Sequence, residues 1–209
     1  MKPLGEAAAA LGVHLSPSQI DLLAAYERLL LAKAIPAGHI SAFDAPRLRE
    51  RHILDSLAAA PLFGEGDRAS VDLGSGAGLP GVVLAIALPH VRFALVESRS
   101  RRAGFIELAV QELGLGNAEV LPMRVEHAAR ERPRAYDVAT ARAFAPIPEA
   151  WAAAHLLLRS GGRMIYFAGR SAPNPEAVAH EATSPDPPAD VSVTPVLDSP
   201  AQLVIMSRT

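Results

Sequence analysis

Apolar positions recur at two different spacings along the chain, and the spacing changes near residue 65. In the first part they follow the three-to-four-residue period of a helix, at Ile20, Leu23, Tyr26 and Leu30. Ser16 and Gln19 have the spacing of a capping box, which predicts the start of this helix. A second helix is predicted from Asp44 to about Pro61. We therefore expect an N-terminal helical extension over residues 1–64.

After residue 65, short apolar runs alternate with helical stretches. The predicted strands cover residues 69–73, 91–96, 118–121, 136–140 and 163–167. Residues 191–196 and 203–206 predict a closing hairpin, after a weakly patterned, proline-rich stretch over 171–189. This alternation is typical of an α/β fold with a doubly wound, mostly parallel sheet. We expect a Rossmann-like seven-stranded sheet with helices on both faces, over residues 65–209.

The turn after the first predicted strand is rich in glycine. Residues 71–81 read Val-Asp-Leu-Gly-Ser-Gly-Ala-Gly-Leu-Pro-Gly. Glycine is needed where the backbone takes a positive φ or closely approaches a ligand. Glu97 ends the second predicted strand, where the ribose hydroxyls of a nucleotide bind in this architecture. The pattern predicts a nucleotide-cofactor site.

Two cofactors fit such a site. Gly76, Gly78 and Gly81 match the G-x-G-x-x-G pattern of NAD sites, but the fuller pattern also includes Asp72 and Gly74. S-adenosyl-L-methionine has a cationic amino group and a cationic sulfonium, which favour a nearby carboxylate such as Asp72. It has no pyrophosphate to place at a helix N-terminus. The sequence therefore favours S-adenosyl-L-methionine over NAD.

Composition narrows the class of protein. The chain has 209 residues, 50% of them hydrophobic, a net charge of −2 and no cysteine, which excludes disulfides and thiolate metal sites. No apolar run approaches the ~20 residues of a membrane span, and the first residues lack the pattern of a signal peptide. We expect a cytoplasmic enzyme without a metal or a membrane partner, and a monomer is favoured.

Nearly all of the basic residues are arginine, since Lys2 and Lys33 are the only lysines. Three arginine clusters stand out, at positions 47, 49 and 51, at 99, 101 and 102, and at 130, 132 and 134. Arginine binds phosphate bidentately and stacks on bases, which would suit an RNA partner. A genome that favours arginine codons explains the scarcity of lysine better, whereas for the clustering the two explanations are about even.

Several motifs together identify a family. The segments Arg51-His-Ile-Leu-Asp-Ser-Leu57 and Asp72-Leu-Gly-Ser-Gly-Ala-Gly-Leu-Pro-Gly81, with Arg124-Val-Glu126 and Thr140-Ala-Arg-Ala-Phe144, resemble the small-subunit ribosomal RNA guanine-N7 methyltransferases. This family is also known as glucose-inhibited division protein B. The resemblance covers about residues 16–168. It implies an S-adenosylmethionine-dependent methyltransferase fold, with methyl transfer to N7 of a guanine in 16S ribosomal RNA, free or in the small subunit.

The family resemblance and the residue pattern each predict part of the cofactor site. The resemblance implies cofactor contacts by Gly74, Leu79, Val125, Glu126 and Arg142. The glycine-rich turn and the second strand end add Asp72, Ser75, Gly76, Gly78, Glu97 and Ser98. Arg101, Arg102 and Arg142 follow strand ends and are predicted to converge beside the transferred methyl group. His52 and Asp55, three residues apart on a helix, are predicted to form a structural pair.

The residues that are missing agree with transfer to N7. There is no cysteine for attack on a pyrimidine, and both lysines precede the catalytic region, where ribose methylation would need a base. The loop at 141–146 lacks a polar acceptor for an exocyclic amine. Guanine N7 has a free lone pair and loses no proton, so it needs none of these groups.

The chain departs from the family pattern at three places, one of which is Arg101-Arg102, where the family commonly has a lysine-rich pair. Gly38-His-Ile-Ser-Ala42 stands where the family has Asn-Leu-Thr, and Ala168 stands where a lysine is expected. Two alternatives therefore stay open. The protein could methylate a small molecule, or it could bind S-adenosylmethionine or RNA without catalysis.

Overall fold

The computed structural model describes residues 2–168, 189–196 and 202–208, and a seven-stranded sheet forms its centre. The strands are β1 (Ala69–Leu73), β2 (Arg92–Val96), β3 (Ala118–Leu121), β4 (Tyr136–Arg142), β5 (Leu158–Ala168), β6 (Asp190–Pro195) and β7 (Gln202–Ser207). Their order is β3-β2-β1-β4-β5-β7-β6. The first five pair in parallel, whereas β7 is antiparallel to both β5 and β6. The predicted fold class and the closing hairpin are confirmed.

Helices cover both faces of this sheet. They are α1 (Leu4–Ala10), α2 (Pro17–Leu29), α3 (Asp55–Leu57), α4 (Gly81–Ala87), α5 (Ser100–Glu112), α6 (Val125–Glu131) and α7 (Ile147–Leu157). Shorter 3-10 segments cover Ala42–Arg47 and Ala60–Leu62, and π-helical segments cover Leu30–Ala34 and Arg49–Leu54. None of the described helices is long and apolar enough to span a membrane.

Each face of the sheet has its own apolar core. On one face the N-terminal helices, α4 and α5 bury Leu23, Tyr26, Val82 and Ile106. On the other face α6 and α7 bury a second core around Trp151, which is fully buried. The helices before β1 therefore pack directly on the sheet that carries the glycine-rich turn.

The structure corrects several predicted elements. Helix α1 was not predicted, because only Leu4 and Ala8 of its seven residues are buried and they give almost no apolar period. The helix predicted from Asp44 begins at Ala42 and changes its helical type several times before Leu62. Strand β5 begins at Leu158, five residues before the predicted start at 163.

The early start of β5 has a local reason. Tyr136 pairs with Leu158, but Val138 pairs with Arg163, so the register shifts and β5 has three extra residues, which form a bulge. Gly161 in this bulge has a φ of 72°, which explains why the glycines resembled a turn before the strand. Residues 171–188 of the predicted proline-rich stretch lie outside the part of the chain that the structure describes.

The strand register decides where the functional residues meet. Leu73 of β1 lies opposite Val96 of β2 and Ala141 of β4. Val96 in turn pairs with Leu121 of β3. The carboxyl ends of four strands therefore form one edge of the sheet, where ligands bind in open α/β folds. We call this the carboxyl edge.

Candidate cofactor site at the carboxyl edge

The glycine-rich turn after β1 is held in place from three sides. The Ser75 amide donates to the Val96 carbonyl of β2 at 2.9 Å, and the Ser75 hydroxyl donates to the Asp72 carbonyl at 3.1 Å. From the N-terminal helices, the Tyr26 hydroxyl donates to the Ala77 carbonyl at 2.5 Å. The turn is therefore a rigid wall of the site, because strand and helix contacts leave it little freedom.

Two of its glycines are required by their surroundings. Gly74 has a φ of 66°, and a Cβ there would lie 2.7 Å from the Phe144 ring. Gly78 has a φ of 85°, and a Cβ there would lie 2.7 Å from the Tyr26 hydroxyl. Only glycine combines this backbone conformation with such a close approach of neighbouring side chains.

Asp72 lies beneath the turn and is only 1% exposed. Its carboxylate accepts hydrogen bonds from the Thr140 hydroxyl at 2.7 Å and from the Gly81 amide at 3.2 Å. Burial raises the pKa of this carboxyl to about 6, although those hydrogen bonds act in the opposite direction. Asp72 therefore joins β1, β4 and the start of α4, and it carries a buried negative charge at neutral pH.

Glu97 lies at the end of β2 and is 5% exposed. Its carboxylate accepts from the Gly76 amide at 3.0 Å and from the Arg99 amide at 2.8 Å. Each oxygen keeps acceptor capacity beyond the one amide that it binds. Glu97 is thus oriented by the backbone and remains able to accept hydrogen bonds from a ribose.

A cavity of about 270 Å³ opens beside these groups, and we call it the cofactor cavity. Its lining residues come from the ends of β1, β2, β3 and β4: Gly74, Val96, Glu97, Ser98, Arg99, Arg102, Met123, Arg124, Val125, Glu126, Ala143 and Phe144. Five of the predicted cofactor residues are among them, namely Gly74, Glu97, Ser98, Val125 and Glu126. Of the others, Asp72, Ser75, Gly76, Gly78 and Leu79 lie in the adjoining turn or below it, and Arg142 lies at the end of β4.

Arg142 lies at the end of β4, on the side of the N-terminal helices. One Nη donates to the Arg51 carbonyl at 2.6 Å, while the other is buried and has no hydrogen-bond partner among the described residues. Burial lowers the pKa of this guanidinium, which the carboxylates of Asp55, Asp44 and Asp72 partly offset. The unpartnered Nη is a polar atom that a ligand could satisfy.

His52 is a neighbour of this guanidinium. Its imidazole pairs with Asp44 at 3.1 Å, and Asp44 also binds Arg51 at 2.5 Å. Burial, followed by the nearby Arg142 charge, lowers the pKa of His52 to about 4. His52 is therefore neutral at pH 7, and Asp44 is a hydrogen-bond partner of its imidazole, while the predicted pairing with Asp55 stays a prediction.

The predicted arginine group divides in the structure. Arg99 and Arg102 line the cofactor cavity, whereas Arg101 is exposed and is not among the lining residues. The helical period predicts this division, because residue 99, just before α5, and residue 102 are three apart and therefore lie on one side of the helix. Arg142 faces the N-terminal helices instead. The roles of Arg101, Arg102 and Arg142 in catalysis stay predictions.

Sequence reasoning did not assign Phe144 or Ala143 to the site. Ala143 has a φ of 51°, a conformation that residues other than glycine seldom adopt. In this turn the Arg142 side chain points toward Arg51, and the Phe144 ring lies against Gly74. Such local strain is concentrated at functional sites. The segment Thr140–Phe144 was visible as a motif, but only the packing shows which of its side chains reaches the cavity.

Residues 19–197 match the family described as rRNA small subunit methyltransferase G. The chain is 34% identical to the ribosomal RNA small subunit methyltransferase G of Mycobacterium marinum, over 99% of this chain and 90% of that protein. The corresponding protein of Acidiphilium cryptum is 43% identical over 72% of this chain and 68% of its own length. This protein belongs to that family.

Solved structures support the fold at low sequence identity. A methyltransferase from Aquifex aeolicus, described as S-adenosylmethionine-dependent, superimposes with a TM-score of 0.59 at 16% identity, covering 80% of this chain and 95% of that one. A precorrin-6y C5,15-methyltransferase from Geobacter metallireducens gives 0.57 at 14% identity, covering 75% and 88%. Family and fold confirm S-adenosyl-L-methionine as the cofactor, as the sequence predicted.

The residues of the site fit this cofactor. A backbone turn with positive φ angles leaves room beside Gly76, where the nearest atom to a Cβ would be the Gly74 carbonyl at 3.8 Å. Glu97 offers acceptors at the strand end, and Arg142 offers an unsatisfied donor. Together these groups could hold a ribose and a carboxylate, which S-adenosylmethionine carries.

Proposed function

We propose that this protein transfers a methyl group from S-adenosylmethionine to N7 of a guanine in 16S ribosomal RNA. The observation that carries the proposal is the family match over residues 19–197, combined with the lining of the cofactor cavity. That lining contains no lysine, histidine or cysteine among the described residues. It therefore offers positioning groups and no neutral base, which suits an acceptor that loses no proton.

The chemistry requires alignment more than proton transfer. The bound cofactor supplies an electrophilic methyl group on a sulfonium. The N7 lone pair forms the new bond to carbon as the sulfur–carbon bond breaks, so the two bonds must be nearly collinear. Glu97 and Phe144, on rigid strand ends, would hold the reactants. The guanine gains positive charge, which the carboxylates of Glu97 and Glu126 and the Phe144 ring would stabilise.

Phe43 adds support for a nucleobase substrate. Its side chain is 90% exposed, which is the highest value among the large hydrophobic side chains described as exposed. The carboxylate of Asp44, the next residue, binds the side chains of Arg51 and His52. The backbone carbonyl of Arg51 accepts a hydrogen bond from the Arg142 side chain. Phe43 is therefore placed beside the carboxyl edge, where an aromatic face could stack on a base.

The decisive experiment is incubation with methyl-labelled S-adenosylmethionine and either naked 16S ribosomal RNA or purified 30S subunits, followed by mapping of the modified base. We expect label at N7 of one guanine, seen as strand cleavage after reduction and aniline treatment. Label at another atom would contradict the guanine-N7 assignment. The comparison of the two substrates shows which form of the RNA is used, and we expect the site of action to be the cytoplasm.

A second candidate is methylation of a small molecule. It is favoured by Ala168, which is 4% exposed at the end of β5 where the family resemblance implies a lysine, and by the net charge of −2. Substrate binding separates the two, because RNA binding weakens steeply with salt through counterion release and small-molecule turnover does not. Absence of any methyl transfer would instead support a binding protein without catalysis.

A further inference from the structure

The third arginine cluster of the sequence, at positions 130, 132 and 134, is divided between two sides of the molecule. Arg132 forms an ion pair with Glu119 and lines a cavity at the amino ends of the strands. Arg130 and Arg134 instead line a different cavity of about 580 Å³, together with Arg208. We call this second space the arginine cavity. The guanidinium groups of two arginines from one short segment therefore meet that of Arg208, which comes from a distant part of the chain.

The charges in the arginine cavity are poorly compensated. Its lining residues are Glu126, Ala129, Arg130, Pro133, Arg134, His155, Leu156 and Arg208, so three guanidinium groups face one carboxylate. Among the described residues, neither Arg130 nor Arg134 has an ion-pair partner within 4.0 Å. In a protein with a net charge of −2, such a concentration of positive charge favours an anionic ligand.

Hydrogen bonds to the backbone hold the walls of this cavity in place. The Arg208 guanidinium donates to the carbonyls of His155 at 2.5 Å and Leu158 at 2.7 Å. Arg134 has a φ of 55°, and its amide donates to the Leu156 carbonyl at 3.0 Å, which ties the end of α6 to α7. A non-glycine residue in this conformation is held there by its surroundings.

His155 adds an unsatisfied polar atom to the same place. Its Nδ1 is buried without a hydrogen-bond partner. Burial lowers the pKa of its imidazole, and the positive charges of Arg208 and Arg134 lower it further. The imidazole is therefore neutral at pH 7 and does not repel the guanidinium groups.

The arginine cavity borders the cofactor cavity. Glu126, in the first turn of α6, lines both of them. On the cofactor side, Arg99, Arg102 and Arg124 line the cofactor cavity. Arginines therefore continue along the seven-residue helix α6 from the reaction site to the second cavity, a length of about 10 Å.

We propose that the arginine cavity binds backbone phosphate groups of the RNA substrate, as an anchor separate from the site of methyl transfer. This inference rests on the proposed function. Phosphate contacts position an RNA strand without reading its sequence, and guanidinium groups bind phosphate in a bidentate manner. The exposed Leu156 side chain could contact sugar or base beside the bound phosphate.

The test compares the variant Arg130→Gln/Arg134→Asn with the control Arg28→Gln/Lys33→Gln. Asparagine is used at 134 because it tolerates positive φ. Arg28 and Lys33 are exposed on the other face of the sheet, and Lys33 makes only an exposed ion pair with Glu112 at 3.7 Å. Both variants lose two positive charges, so net charge alone cannot separate them.

The readout is the dissociation constant for a 16S ribosomal RNA transcript, measured from about 50 to 300 mM KCl. We expect the log–log salt slope of the arginine-cavity variant to fall by roughly 1.4–1.8, at 0.7–0.9 for each lost contact, with affinity reduced at least about tenfold at 0.1 M salt. The control should keep the parental slope. Binding of S-adenosylhomocysteine and the turnover at saturating RNA should stay unchanged in both.

Three results would overturn the inference. If wild type methylates RNA and the variant keeps its slope and affinity, the arginines are solvated surface. If the variant loses affinity for assembled 30S subunits but keeps it for naked RNA, the cavity contacts a ribosomal protein instead. If wild type neither binds nor methylates RNA, the proposed function fails and this inference fails with it.

Discussion

The two edges of the parallel sheet both contain a cavity, but only one of them has the features of a site. The cavity at the amino ends of the strands is the larger of the two, at about 440 Å³ against about 270 Å³ for the cofactor cavity. At the amino edge the polar groups bind one another. Arg132 pairs with Glu119, and the Asn117 amide donates to the carbonyls of Ala85, Leu88 and Val91.

The carboxyl edge differs in its backbone conformation and in a buried polar atom that has no hydrogen-bond partner among the described residues. Its turn contains three glycines with positive φ, and Ala143 shares that conformation. A buried Arg142 nitrogen has no partner, and the Asp72 carboxyl has a raised pKa. At this edge, strained backbone, an unsatisfied polar atom and a perturbed carboxyl occur together beside the smaller cavity, and such a combination is typical of a functional site.

The largest expected difference between the edges comes from Gly76→Val. A Cβ at this position would meet no protein atom closer than the Gly74 carbonyl at 3.8 Å, so the valine side chain should occupy the space of the cofactor and abolish binding of S-adenosylhomocysteine. Gly114→Val is the control, because Gly114 has the same φ of 62° and open space, on the amino side of β3. Calorimetry would contradict the assignment if both variants bound the cofactor product equally well.

Glu97→Ala should have the next largest effect. Loss of hydrogen bonds from the ribose should weaken cofactor binding by roughly 2–4 kcal/mol, at about 1.5–3 kcal/mol for each bond to a charged group. Glu97→Gln keeps one acceptor for the Gly76 amide and should fall between wild type and alanine. Glu119→Ala removes a carboxylate at the amino edge and should leave the dissociation constant unchanged. An unaffected Glu97→Ala protein would place the ribose elsewhere.

The perturbed pKa values predict opposite pH effects on stability. Folding raises the pKa of Asp72 from 3.8 to about 6, so the folded state binds more protons in that range and stability falls as pH rises. Folding lowers the pKa of His52 from 6.5 to about 4, so the unfolded state binds more protons there and stability rises with pH. The two contributions, each about 3 kcal/mol, should nearly cancel in wild type.

Single variants would expose each contribution in denaturant unfolding between pH 4 and 7. Relative to wild type, Asp72→Asn should gain stability as pH rises, and His52→Gln should lose it. Tyr136→Phe at the amino edge is the control, because burial raises the pKa of that phenol away from this range. Differences from wild type that stay constant across this range would show that neither group titrates as the structure implies.

The smallest expected effect concerns the substrate. Phe43→Ala should raise the KM for RNA roughly five- to one-hundredfold, from about 1–3 kcal/mol of base stacking, while cofactor affinity stays unchanged. Leu31, which is 42% exposed on the π-helical segment after α2, provides an apolar control at a distance from Asp44. Equal KM values for Phe43→Ala and Leu31→Ala would remove Phe43 from the substrate site.

Much of the site could be predicted from short segments. The strand, glycine-rich turn and helix at 69–87 are contiguous, and Glu97 follows an apolar strand whose end position is local information. Parallel alternation then places those strand ends at one edge without further knowledge. The capping box at Ser16 and Gln19 is also confirmed, with both of its hydrogen bonds present.

The site residues whose positions the sequence did not predict share one cause, which is contact between segments far apart in the chain. Arg142 donates to a carbonyl 91 residues earlier, so its direction toward Arg51 has no local signal. Phe144 reaches Gly74 only because β1 and β4 are neighbours in the sheet. The strand order that makes them neighbours depends on which helices cover which face.

By itself, the sequence determined the fold class, the cofactor turn and the family motifs, because each depends on residue type and spacing within a few turns or strands. Only the tertiary structure decided which charges act together. Arg130, Arg132 and Arg134 follow one another at intervals of two residues around the end of α6. Arg132 forms an ion pair with Glu119, whereas the other two line the arginine cavity together with Arg208. Side-chain direction at the end of a helix depends on the elements packed around it, and those come from distant parts of the chain.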